Sequence, residues 1–228
     1  HCPRLDELHT PVALAELLRE ESGLILVTGS TGSGKSTTLA AMVDHLNHQL
    51  AGHIVTLEDP VEFLHESGSC LIHQREVGLH TSSFSEALRA ALRQDPDVIL
   101  LGELRDSDTI RLALTAAETG HLVLATLHTR GAAQAIERLI DVFPAQEKDP
   151  VRNQLASSLC AVLSQKLQSD KHGGRVALFE MLINTPAVGN LIREGKTHQL
   201  AGVMQTGLQS GMQTFSQSYQ QRVKAGML

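Results

Sequence analysis

The sequence predicts an α/β fold: a mostly parallel sheet covered by helices, with a small, mainly helical C-terminal part. Three observations carry that reading. Short apolar, β-branched runs alternate with helix-period segments from residue 24 to residue 140, the pattern of strand–helix–strand units in a parallel sheet. One run, Leu24-Ile25-Leu26-Val27-Thr28, leads through Gly29-Ser30-Thr31-Gly32-Ser33-Gly34-Lys35-Ser36 into an Ala-, Leu- and Met-containing stretch from Thr37 to Leu50. Acidic residues follow directly on two other apolar runs, at the edge where open α/β sheets bind ligands.

Taken in order, residues 1–11 have the character of a linker. The chain opens on His1 rather than Met and reads as a fragment whose upstream part is missing. Within Pro11 to Glu21, Val12, Leu14, Leu17 and Leu18 fall at helical spacing. Ile54 to Leu57 is a second strand, and Cys70 to Val77 is expected as a hairpin arm. Phe84 to Arg93 is helical, with Leu88 and Leu92 on one face. Val98 to Leu101 is a third buried strand, and Ser107 is expected to cap the helix running to Glu118. Leu122 to Thr126 is a fourth strand and Ala132 to Ile140 a helix. Val151 to Leu167 reads as one long amphipathic stretch, Val176 to Ile183 as a strand, and Pro186 to Gly226 as short helices separated by Gly. The division expected is a linker over 1–11, a main domain over 12–168 and a helical subdomain over 169–228.

Composition narrows the function classes. With no Trp, one Tyr and five Phe, the core must be built from Leu, Val, Ile and Ala. A net charge of −6 argues against nucleic acid as the main partner. No stretch has the apolar length of a membrane span, and no secretory leader opens the chain. The three cysteines, Cys2, Cys70 and Cys160, are too widely spaced for a disulfide framework or a zinc ribbon. Cytoplasmic residence is the natural expectation.

The segment from Gly29 to Ser36 matches G-x-x-x-x-G-K-[ST], and its strand-loop-helix setting is the one the motif requires. Glycines let the backbone close around phosphates so that several N–H groups point at the anion. Lys35 would reach the β- and γ-phosphates of a nucleoside triphosphate, and Ser36 would hold Mg²⁺. Glu58, Asp59, Glu62, Glu103 and His128 gather at the expected strand ends. Glu103, at the tip of a long apolar strand, could hold the metal. On pattern alone, Glu62 reads equally as the group that positions an attacking water or as a solvated turn residue. His121 and His128 bracket a strand, where a histidine is more often structural than catalytic.

Four blocks in this order and spacing resemble the type II/IV secretion and type IV pilus motor ATPases: GSTGSGKST (29–37), TLEDPVEF (56–63), DPDVILLGELRD (95–106) and GHLVLATLHT (120–129). They look like that family's Walker A, Asp box, Walker B and His box. The segments NLIREGKTHQL and QTGLQSGMQTF look like its twitching-motility retraction branch, the PilT-like ATPases. The resemblance implies a RecA-like P-loop NTPase domain working as a homohexamer on ATP and Mg²⁺, with a membrane platform protein as partner. It assigns nucleotide contacts to residues 29–37, the water-directing role to Glu62, the Walker B role to Glu103, and nucleotide-state or subunit contacts to His121 and His128. The family's PAS-like N-terminal domain, which supplies arginines to the nucleotide, has no counterpart here. Arg75, Arg89, Arg93, Arg105 and Arg111 are the internal candidates, with Arg105 foremost because it follows Glu103 so closely. The assembly branch's four-cysteine zinc element cannot be built from three cysteines, which favours the retraction branch. Two rival readings stand beside the motor: a RecA-like nucleic-acid translocase, and a nucleotide-binding regulator that does not hydrolyse.

Overall fold

The computed structural model describes residues 2–228. In chain order its elements are α1 (Val12–Leu17), β1 (Gly23–Thr28), α2 (Lys35–Gln49), β2 (His53–Glu58), β3 (Leu71–Glu76), α3 (Phe84–Leu92), β4 (Val98–Leu101), α4 (Ser107–Glu118), β5 (Leu122–Leu127), α5 (Ala132–Asp141), α6 (Ala145–Ser158), β6 (Leu159–Ser169), β7 (Arg175–Ile183), α7 (Pro186–Arg193), α8 (Leu200–Thr206) and α9 (Phe215–Lys224).

Every residue of β1, β4 and β5 is buried, which explains why these strands read as continuous apolar runs. They lie at the centre of a seven-stranded sheet ordered β3-β2-β4-β5-β1-β6-β7. All pairs are parallel except β6 with β7. The strand period of two splits the core between two faces. Leu24 and Leu26 of β1 join the core formed with α3 to α8, whereas Ile25 and Val27 join the core beneath α1 and α2. β5 lies between β1 and β4, so the two strands that lead into the phosphate loop and Glu103 are not hydrogen-bonded to each other.

Four expectations change. The segment read as a hairpin arm is instead the edge strand β3, paired in parallel with β2 from His53–Leu71 to Glu58–Glu76. The cap of α4 is Asp106, not Ser107: its carboxylate accepts the Thr109 amide at 2.8 Å. The stretch from Val151 to Leu167 is two elements, since α6 ends at Ser158 and β6 starts at Leu159. The division expected after residue 168 falls inside the β6–β7 hairpin, whose strands pair from Ala161–Ile183 to Ser169–Arg175. Of the stretch expected as linker, residue 1 lies outside the described residues. Leu5 is buried in the core beneath α2, and the Arg222 guanidinium donates to the carbonyls of His9 (2.6 Å) and Ala177 (3.3 Å).

Candidate nucleotide site

The loop between β1 and α2 takes its shape from close approaches. A Cβ at Gly29 would lie 2.4 Å from the Ser33 hydroxyl and 2.5 Å from the Gln165 carbonyl oxygen, so only glycine fits there. Gly34, the N-cap of α2, is left-handed at φ 91°. Lys35 curls back beneath the loop and donates to the Gly29 carbonyl at 2.7 Å and the Ser30 carbonyl at 3.0 Å. The Ser33 hydroxyl is buried and has no hydrogen-bond partner.

Across from the loop stand the residues that follow β2, β4 and β5. Together the two walls enclose a cleft of about 400 Å³. Thr31, Gly32, Gly34, Lys35, Ser36 and Thr37 form the loop side; Glu58, Asp59, Glu62, Glu103, Arg105 and His128 form the other. Phe63 and Phe84 add apolar surface at the cleft. Glu103 is gripped twice, by Arg105 Nη2 at 2.5 Å and by His128 Nε2 at 3.1 Å. Glu62 is exposed. Its segment is laid along β3: the Val61 amide donates to Glu76 at 2.9 Å and the His65 amide to Gln74 at 2.9 Å.

The charges respond to one another. Burial draws the Lys35 ammonium below its ordinary range, while Glu103 and Glu62 pull it back up. Burial alone would raise the Glu103 carboxyl. The Arg105 hydrogen bond and the charges of His128 and Arg105 more than offset that, and the group lies below the usual carboxylate range. Burial raises the Glu58 carboxyl, only partly countered by hydrogen bonds from Thr56 and Gln74.

The structure therefore gathers Thr31, Gly32, Gly34, Lys35, Ser36, Thr37, Glu62, Glu103 and His128 at one cleft. Gly29 and Ser33 are buried behind it, and exposed Ser30 contributes its carbonyl to Lys35. His121 is not brought there. It precedes β5, with Nδ1 3.0 Å from the Ala116 carbonyl oxygen, while His128 follows the strand's other end. Six strand residues put the two about 20 Å apart. Arg105 is the one candidate arginine at the cleft; Arg111 instead pairs with Glu147 at 2.6 Å and lies over the Phe143 ring. Sequence reasoning missed Gln165, which bonds the loop from β6. Its signal was a polar residue at the end of the apolar row Ala161-Val162-Leu163.

A glycine-rich phosphate loop after a central strand, facing acidic residues from neighbouring strand tips, defines an α/β protein of the P-loop class. Residues 7–228 match the Type II/IV secretion system protein family, and the chain belongs to it. It is 75% identical to the YggR protein of Escherichia coli over all of this chain and 70% of that protein. It is 59% identical over 206 residues to the type IV pilus retraction ATPase PilT of Pseudomonas aeruginosa, covering 90% of this chain and 60% of that one. Its fold is similar to the crystal structure of the pilus retraction motor PilT with bound ADP, with a TM-score of 0.93 and 46% identity over all of this chain and 65% of the other. The chain spans between 60% and 70% of the length of these curated relatives.

Proposed function

We propose that this chain is the ATPase part of a PilT-like motor, hydrolysing ATP with Mg²⁺ in a homohexameric ring. The ring would power type IV pilus retraction, twitching motility or a related secretion system. One observation carries the reading: Lys35 and Ser36 face Glu62, Glu103 and His128 across a single cleft. The relatives named as retraction ATPases, and the similar motor with bound ADP, support it. Among the described residues no helix is long and apolar enough to cross a membrane. The motor would work in the cytoplasm, held to the inner membrane by a platform protein.

The residues present fit the groups they would hold. Lys35 now donates to two backbone carbonyls, which phosphate oxygens would replace. The Ser36 hydroxyl and the Glu103 carboxylate are hard oxygen donors suited to Mg²⁺. Among the described residues no group of three or more His, Cys, Asp or Glu side chains could hold a metal alone; the ion would take its remaining ligands from phosphates and water. When bound, Mg²⁺ supplies positive charge to the phosphate oxygens. Loop N–H groups and Lys35 stabilise the transferring phosphoryl group. Glu62 orients the attacking water, and the His128 and Arg105 contacts keep Glu103 ionised.

The test is phosphate release from Mg-ATP by the full-length protein and its Glu62→Ala variant. We expect the variant to lose turnover by at least about 100-fold while still binding ATP. Undiminished release would remove Glu62 from the mechanism, and no release by the unaltered protein would overturn the ATPase reading.

A further inference from the structure

We propose that Gln165 is a positioning residue of the phosphate loop, holding it in its phosphate-receiving shape and tying that shape to the β6–β7 hairpin. The inference rests on the ATP-binding reading of the same cleft. The β1–β6 register pairs Val27 with Leu163 and Thr28 with Ser164, which places Gln165 beside Gly29, where the loop begins. Gln165 continues the row of Ala161 and Leu163, which face the core beneath α2. It is only 3% exposed. A primary amide is unfavourable in such a place unless both its ends are bonded.

Both ends are bonded, and to two different parts of the site. Nε2 donates to the Ser33 carbonyl at 2.6 Å, and Oε1 accepts from the Thr38 hydroxyl at 2.7 Å. The amide thus bridges the bend of the loop and the first turn of α2. The peptide plane turns this into function. In a trans peptide the carbonyl and the following N–H point in opposite directions. Fixing the Ser33 carbonyl on Gln165 therefore turns the Gly34 N–H away from Gln165, and Gly34 lines the cleft. The loop is also fitted to Gln165 sterically: a Cβ at Gly34 would lie 3.0 Å from Nε2. An apolar residue of equal size would pack this core as well but would leave the Ser33 carbonyl free to turn.

The test uses the full-length protein with two probes, a fluorescent ADP and inorganic tripolyphosphate, which has neither base nor sugar. In Gln165→Glu the acceptor for Thr38 remains, but an oxygen replaces the donor facing the Ser33 carbonyl. We expect the affinities for ADP and tripolyphosphate to fall together by about tenfold or more. KM for ATP should rise by a similar factor while kcat changes less than about threefold. A merely structural role would lower the melting temperature without that split. Thr38→Val removes only the second bond and should weaken both probes about threefold; it decides the matter if Gln165→Glu does not fold. Unchanged binding of both probes by the folded variants overturns the proposal. If the unaltered protein binds neither probe, the ATP-binding reading itself fails; if it binds both, Lys35→Ala binds them at least about tenfold more weakly and Gln165→Glu binds normally, only the role of Gln165 is lost.

Discussion

The two walls of the cleft are made differently. On the loop side, Lys35 is 8% exposed and every shape-giving contact runs to backbone or to a buried side chain. On the acid side, Glu62 is exposed and Glu103 is held by Arg105 and His128, whose side chains are 70% and 46% exposed. Exposed ion pairs contribute little and respond to salt and pH. The loop wall is therefore built into the core of this chain, whereas the acid wall is set by partly exposed charges that solvent can reach.

The sharpest way to break this comparison is Lys35→Ala. Loss of the buried ammonium should lower phosphate release by roughly 10³-fold and weaken equilibrium binding of ADP by at least about tenfold; near-normal ADP binding would show that the loop wall does not depend on its cation. Arg105→Ala probes the other wall. Glu103 lies below the usual carboxylate range, so its contribution to stability is complete above that range and is lost as pH falls through the depressed value. Without Arg105 that loss should begin at a higher pH, visible in melting temperature and in the acid limb of the pH–rate profile. An unmoved acid limb would leave burial and His128 as sufficient. The smallest effect is expected from Glu58→Gln. Burial raises the Glu58 carboxyl, so its favourable contribution is present below the ordinary carboxylate range and is lost as pH rises through the raised value. The variant should melt about 2–4 °C higher at pH 8 and show no such gain at pH 4. Equal melting at both pH values would mean that Thr56 and Gln74 fully compensate the buried charge.

Much of this was legible in the residues because it is local. Gly29 to Ser36 specify their own turn, and β1, β4 and β5 are apolar throughout because both their faces are covered. What escaped depends on partners remote in sequence. The direction in which β3 pairs is decided by its docking on β2, and nothing within 70–77 encodes it. The junction of α6 and β6 has no Gly or Pro at Ser158–Leu159; the side-chain period simply changes from about 3.6 to 2 inside one apolar run. Asp106 and Ser107 are both good caps, and only backbone geometry chooses between them. The resemblance made a pair of His121 and His128, yet they bracket β5, and a strand separates what it brackets. Gln165 became meaningful only once register set it beside Gly29.

The interposed strand β5 acts as a caliper. Two strand spacings set the ends of β1 and β4, from which the phosphate loop and the Glu103 segment extend, about 10 Å apart, a spacing fixed by backbone ladders rather than by any residue in the cleft. Swinging side chains cannot narrow it. At the strand ends that spacing changes only if whole strands slide or twist, a movement the helices packed on the sheet would share.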